Sequence, residues 1–99
     1  MQTYNERCDV ARDTEARLRQ VTNSVESDSL YAHGEYVYMT KTIGDRDARL
    51  IARNGEFTVY GTNWRTVRRI TPRLVTPSMS DALAAYREVL QSNREARNA

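Results

Sequence analysis

The sequence has very little of the residues that build disulfide frameworks and metal sites. It contains one cysteine, Cys8, and one histidine, His33, in 99 residues. A lone cysteine cannot form an internal disulfide, and neither residue has a second ligand at the spacing of a zinc site. No apolar run approaches the roughly 20 residues of a transmembrane helix, and the charged residues 1–13 lack the apolar segment of a secretory signal. We therefore expect a cytoplasmic protein without a metal, a cofactor or a membrane segment.

The motifs of common catalytic sites are missing as well. The chain has no glycine-rich phosphate-binding loop, no Gly-x-Ser-x-Gly turn and no pair of histidines at metal-ligand spacing. Glu35 and Glu56 could serve as a carboxylate pair, but no feature of the sequence brings them together. We expect a protein that is not an enzyme.

Arginine is abundant and unevenly placed. Of the fifteen basic residues fourteen are arginine, and the net charge of the chain is +2. Residues 1–40 carry four basic and seven acidic side chains, residues 41–73 eight and three, and residues 74–99 three of each. The basic middle third favours contact with an acidic partner, because arginine binds phosphate or carboxylate through two parallel hydrogen bonds. It could equally attract the acidic first third, and genome base composition alone would also enrich arginine.

The pattern of apolar residues predicts an α+β fold in one small domain. We expect an N-terminal helix, an antiparallel β-meander of three to four strands and a C-terminal helix. Thr3 and Glu6 form a capping box ahead of a first helix over residues 4–22. The Ser- and acid-rich residues 23–34 are predicted to be a loop. Apolar residues at helical spacing predict a second helix over residues 79–92, followed by a frayed polar tail over residues 93–99.

Asn54-Gly55 is the strongest turn signal in the chain. Both positions of a two-residue type I′ turn need positive φ, which suits this pair. The turn joins predicted strands over residues 47–53 and 56–60, with Leu50 opposite Val59 and charged Arg53 opposite Glu56. A slip of one residue would lose this separation of apolar and mixed faces.

A third strand, over residues 35–43, is predicted upstream. A two-residue turn at Gly44-Asp45 places Met39 opposite Leu50 and keeps Tyr36 and Tyr38 out of the core. A three-residue turn would bury the tyrosines instead. We favour the two-residue turn.

The segment NWRTVRRITPR, residues 63–73, is the least regular strand candidate. It predicts an edge strand over residues 64–70, and Pro72 ends regular pairing. Its arginines could simply prevent edge-to-edge aggregation, or they could belong to a binding surface.

The favoured registers gather tyrosine and arginine on one face and one edge of the sheet. Nucleic-acid bases stack on aromatic rings while phosphates pair with arginine, and the same residue types are enriched at protein interfaces. A helix or a second copy of the chain could also cover this face. The predicted binding surface consists of Tyr36, Tyr38, Tyr60, Trp64, Arg49, Arg53, Arg65, Arg68, Arg69 and Arg73.

These features predict a small binding protein that engages nucleic acid or a nucleoprotein partner through its arginine- and tyrosine-rich sheet. One alternative is an inhibitor or adaptor, of the kind that phages and mobile elements encode, which binds a host protein. Another is a structural homodimer module. An acidic protein groove and a phosphate backbone attract the same surface, so both kinds of partner stay open.

Overall fold

The computed structural model of the chain describes residues 2–63 and 71–98. Within these residues five strands form one antiparallel sheet, in which each strand pairs with its neighbour in sequence. The predicted α+β class, a helix, a β-meander and a helix, is confirmed, with one strand more than the largest number expected. In chain order the elements are α1 (Tyr4–Val21), β1 (Ser29–His33), β2 (Tyr36–Ile43), β3 (Arg46–Arg53), β4 (Glu56–Asn63), β5 (Leu74–Thr76) and α2 (Met79–Asn98).

Two-residue turns fix the register of the first four strands. Asn54 and Gly55 both have positive φ, 51° and 81°, as a type I′ turn requires. At the other two turns a glycine with positive φ occupies the first position, Gly34 at 60° and Gly44 at 66°. A residue with a Cβ atom rarely adopts this conformation, so the glycines determine where each strand reverses.

Strand alternation separates an apolar face of the sheet from a mixed one. The predicted register is confirmed, because Leu50 lies opposite Val59 in β4 and opposite Met39 in β2. Since successive side chains of a strand point to opposite faces, the paired apolar residues all reach one side of the sheet. This side, the core face, is formed in the central strands by Val37, Met39, Leu50, Ala52, Phe57 and Val59.

Both helices pack on the core face. α1 contacts β1 to β3, and α2 contacts β2 to β5. Leu18 of α1 and Tyr86 and Leu90 of α2 are completely buried in one cluster with the core-face side chains. Burial of a large apolar side chain of this kind stabilises the fold by about 1.5–3 kcal/mol. The opposite face of the sheet is therefore left without a helix in the described part of the chain.

The helix starts are set by side-chain caps. The Thr3 hydroxyl accepts a hydrogen bond from the Glu6 amide at 3.1 Å, and the Glu6 carboxylate accepts one from the Thr3 amide at 3.4 Å. The predicted capping box is thus confirmed. At the start of α2 the Ser78 hydroxyl accepts from the Asp81 amide at 3.2 Å. A cap of this type stabilises a helix by about 1 kcal/mol.

The predicted loop over residues 23–34 is wrong for residues 29–33, which form β1. Leu30 and Ala32 face the helices, while Tyr31 and His33 alternate with them on the other side. The strand is short and holds only two inward residues, so its alternation is weak beside the polar residues that precede it. Pairing with β2 across the Gly34 turn stabilises the strand, which the local sequence specifies only weakly.

The predicted frayed tail over residues 93–99 is also wrong, because α2 continues to Asn98. Asn93 is buried, and Gln91 donates to Glu95 one turn further on at 3.1 Å. Arg94 donates to the Val25 carbonyl at 3.3 Å, which ties this last part of the helix to the loop after α1. Tertiary contacts therefore hold a segment whose composition alone indicates fraying.

The predicted strand over residues 64–70 lies outside the described residues. The sequence predicted that Pro72 ends regular pairing. This is wrong, because β5 begins two residues later and pairs with β4. Pro72 lies before β5 and has no need to donate a ladder hydrogen bond. None of the helices in residues 2–63 and 71–98 is long and apolar enough to cross a membrane.

Candidate binding site on the open face of the sheet

We call the sheet face turned away from the helices the open face. Its side chains form rows that run across the strands, because residues paired in register point the same way. A central row of mainly aromatic and apolar residues is flanked by two rows that carry the charges. The central row is Tyr31, Tyr38, Ile51, Thr58 and Val75; the flanking rows are His33, Tyr36, Arg53 and Glu56 on one side and Ser29, Thr40, Arg49 and Tyr60 on the other.

Three tyrosines of the open face stack on one another. The ring centroids of Tyr31 and Tyr38 are 5.4 Å apart with an interplanar angle of 28°, and those of Tyr36 and Tyr38 are 6.0 Å apart with an angle of 24°. The guanidinium of Arg53 lies 5.2 Å from the Tyr36 centroid, within the range of a cation–π contact. Tyr31 remains 49% exposed. The stack is therefore ordered by its own contacts and still accessible to a partner.

Glu35 holds Arg53 in place at the Tyr36 end of this stack. Its carboxylate accepts from Arg53 at 2.9 Å and also from Arg7 of α1. The Arg7 hydrogen bond is the main cause that lowers the pKa of Glu35, with the charges of Arg53 and Arg7 adding to it against the effect of burial. The carboxylate thus stays ionised and links α1 to the open face.

Asp47 neutralises the second arginine of the open face. It is 2% exposed, and its Oδ2 atom accepts from Arg49 Nε at 2.5 Å. Among the described residues its Oδ1 atom has no hydrogen-bond partner. Because an ionised carboxylate this deeply buried needs a counter-charge, Arg49 is anchored to the sheet.

The structure brings together five of the ten residues predicted for the binding surface. Arg73 lies elsewhere, since its guanidinium pairs with Glu88 of α2 at 3.0 Å, on the helical side of the molecule. Four of the predicted residues, Trp64, Arg65, Arg68 and Arg69, lie outside the described residues. Those that share the open face are Tyr36, Tyr38, Tyr60, Arg49 and Arg53.

Four residues of the open face were missed in the sequence because their strands were missed. Ser29, Tyr31 and His33 belong to β1, and Val75 belongs to β5. The alternation of Leu30 and Ala32 with Tyr31 and His33, directly before a glycine turn, was the available signal for β1. No comparable signal marks Val75, since β5 has only three residues.

Both edges of the sheet are protected against the addition of a further strand. At β1 the Ala32 amide donates to Glu15 of α1 at 3.2 Å, and the Leu30 carbonyl accepts from Arg19. Glu15 and Arg19 themselves form an ion pair at 2.8 Å. At the other edge β5 is short and lies between Pro72 and Pro77. Blocked backbone groups and prolines are common ways to stop edge pairing.

Clefts lie beside the helices. One of about 270 Å³ is lined by Arg46, Arg73 and Asn93, and one of about 310 Å³ lies between the end of α1 and β1. The open face is instead a broad surface of strand side chains, which suits a macromolecule better than a small ligand.

Residues 2–63 and 71–98 contain no group of three or more metal-ligating side chains. Cys8 is free and half-buried, and its hydrogen bond with Tyr4 raises the pKa of that phenol.

No protein-family model matches the chain, and neither a curated protein nor a solved structure matches it. A function must therefore be inferred from the open face itself.

Proposed function

We propose that the chain is a non-enzymatic binding protein that holds a protein partner on its open face. The observation that carries this proposal is the central row, in which aromatic and apolar side chains lie between two rows of polar and charged ones. Protein interfaces have this arrangement, an apolar centre with a polar rim, and they are enriched in tyrosine and arginine. A protein with such a surface can act as an inhibitor, an adaptor or an assembly module.

The charge balance of the open face supports a protein partner over a polyanion. Arg53 is paired with Glu35, and Arg49 is paired with Asp47. A polyanion draws its affinity from many unpaired cations, and these two arginines are already partly neutralised. A protein partner can use the tyrosines as well and needs only a few locally matched charges.

The protected edges support the face as the docking surface. Strand addition needs free backbone groups along an edge. Glu15 and Arg19 occupy such groups of β1, so a partner gains more from the side chains of the open face.

Nucleic acid is the second candidate partner, and the stacked tyrosines are the observation that favours it. Bases stack on aromatic rings with about 1–3 kcal/mol per base, and Arg53 already lies against the Tyr36 ring. In the sequence, the arginine-rich residues 65–69 follow directly after β4. Binding by phosphate contacts would weaken steeply with salt, since each contact releases condensed counterions.

The two candidates are separated by testing the same three proteins against both kinds of partner. The proteins are the wild type, Tyr38→Ser on the open face and Tyr4→Ser as control, because Tyr4 is an exposed tyrosine on α1. Anisotropy with labelled single-stranded DNA and RNA at two salt concentrations measures nucleic-acid binding. Light scattering of the purified chain, and binding of any protein that it retains from nuclease-treated lysate, measure protein binding.

We expect Tyr38→Ser to lose protein association while Tyr4→Ser retains it, and neither oligonucleotide to bind. Salt-sensitive binding of an oligonucleotide by the wild type that Tyr38→Ser abolishes would overturn the protein proposal in favour of the nucleic-acid one. Equal protein association by all three would show that the open face is not the docking surface.

A further inference from the structure

We propose that the protein on the open face is a second copy of this chain, seated face to face about a two-fold axis that runs between β3 and β4, parallel to the strands. The inference rests on the proposed function, since it names the protein that occupies the same surface. It follows from the order of side chains along the two central strands.

The register of β3 and β4 makes this surface self-complementary. On the open face Arg53 lies beside Glu56, and Ile51 lies beside Thr58. A two-fold axis midway between the two strands exchanges their positions. Each residue then faces the partner copy of its own cross-strand neighbour, and every contact occurs twice, as in any isologous interface.

The charges favour this axis. Arg53 faces the partner's Glu56, and Glu56 faces the partner's Arg53. The Arg53 side chain is 55% exposed although it contacts Glu35 and Tyr36. Glu56 is exposed and has no ion pair among the described residues. The face therefore offers one cation and one anion at positions that the axis brings together.

The apolar residues fit the same axis. β2 then crosses the partner's β5, which places Tyr38 against the partner's Val75. Val75 is 50% exposed on its own chain, and Tyr38 is half-buried within the stack. Ile51 and Thr58 meet near the axis, so the central row of each copy packs on that of the other.

A different two-fold axis in the plane of the face is disfavoured. An axis through the central row, at right angles to the strands, would set Arg53 against the partner's Arg49, which is a contact between like charges. Both axes keep the strands of the two sheets aligned, so the charge contacts are what distinguish them.

The open face is large enough for a stable dimer. With the axis between β3 and β4, β2 to β5 face the partner and β1 extends beyond it. Strands about 4.8 Å apart and up to about 26 Å long then give a flat overlap on the order of 400 Å² for each copy. Side-chain relief adds accessible area to this overlap, which places the interface at the lower end of the roughly 600–1,000 Å² that each partner buries in a specific complex.

The test uses two charge reversals, Arg53→Glu and Glu56→Arg, and the mass of each protein in solution. The wild type should show twice the mass of the 11.4 kDa chain. Each single substitution sets like charges against each other twice and should weaken the dimer by about 100-fold or more. An equimolar mixture of the two variants should form a heterodimer, because both charged contacts then join opposite charges. The double variant Arg53→Glu/Glu56→Arg should again be a dimer.

Two controls make the same charge changes away from the face. Arg17→Glu and Glu95→Arg alter exposed residues of α1 and α2 and should remain dimers. Thermal unfolding followed by circular dichroism must show that Arg53→Glu is folded, since it also loses its pair with Glu35. Restored association on mixing itself requires both variants to be folded. If Arg53→Glu does not fold, Glu56→Arg and the double variant carry the test.

A wild type that keeps the mass of one chain at its highest soluble concentration would overturn the inference, and so would single variants that stay dimeric or fail to associate when mixed. If the chain is a monomer but a different protein binds to it and not to Tyr38→Ser, this inference fails while the proposed function stands. If nothing binds the open face, both fail.

Discussion

The two faces of the sheet are built from the same strands and have different roles. In β3, Leu50 and Ala52 are buried under the helices, whereas Ile51 and Arg53 between them lie on the open face. The core face is apolar and covered. The open face is aromatic in its centre and is held by stacking and by ion pairs within its own plane. Because side chains alternate with a period of two, one strand can supply stability on one side and a contact surface on the other.

The largest effect is expected from equivalent substitutions of neighbours in β3. Leu50→Ala removes a side chain with no exposure and should lower the free energy of unfolding by about 2–5 kcal/mol. Ile51→Ala should cost less than half as much, because its side chain is partly solvated in the monomer. Urea unfolding at a concentration below that of association measures both. Equal losses would mean that the open face is part of the folding core.

Arg49→Met tests a residue of the open face that does contribute to folding stability. It removes the guanidinium paired with buried Asp47 and should lower the free energy of unfolding by about 1–3 kcal/mol, the cost of an unsatisfied buried polar group. Adding Asp47→Asn, which removes the buried charge, should recover part of this loss. Urea unfolding of the single and double variants measures the coupling. If the two losses simply add, the pair is not a unit.

The protected β1 edge predicts a smaller effect. Glu15→Ala leaves the Ala32 amide without its acceptor and should cost about 0.5–1.5 kcal/mol. It should also speed amide exchange at Ala32 and increase aggregation through the freed edge. Glu15→Gln is the matched control, since its side-chain oxygen can still accept. If the alanine and glutamine variants exchange and aggregate alike, the carboxylate does not protect the edge.

The smallest effect on the free energy of unfolding is expected from Glu35, and it should change only on acidification. Arg7, and then Arg53, hold the pKa of Glu35 below its ordinary value of 4.5. The folded protein therefore binds this proton less readily than the unfolded chain does. Its stabilising contribution is complete above pH 4.5 and is lost as the pH falls through the lower folded pKa. The stability difference between wild type and Glu35→Gln should shrink over that range in urea unfolding, whereas a difference independent of pH would assign the contribution to packing.

The parts of the fold that short-range chemistry specifies could be predicted from the sequence. The Asn54-Gly55 turn needs two residues with positive φ, and the alternation around it allows only one register with an apolar face. The start of α1 follows in the same way from Thr3 and Glu6. Tyr36 and Tyr38 were assigned to the open face because a two-residue turn at Gly44 determines which side chains of β2 point to each face of the sheet.

The parts that depend on distant contacts could not be predicted. β1 and β5 are short, and pairing with longer neighbours is what makes them strands. The end of α2 is held by Arg94 on the Val25 carbonyl. Arg73 belongs to the predicted surface by its place in the sequence, but Glu88, fifteen residues away, draws its side chain to the helical side.

The most direct test of the open face as the interface between two copies of the chain is a series of backbone amide NMR spectra recorded at rising protein concentration. Signals of Tyr38, Ile51 and Thr58 should shift or broaden, and those of the Arg53→Glu variant should not. The exposed apolar residues Tyr4 and Val21 of α1 provide an internal control and should stay unchanged. Shifts confined to α1, or spectra that do not depend on concentration, would contradict the account.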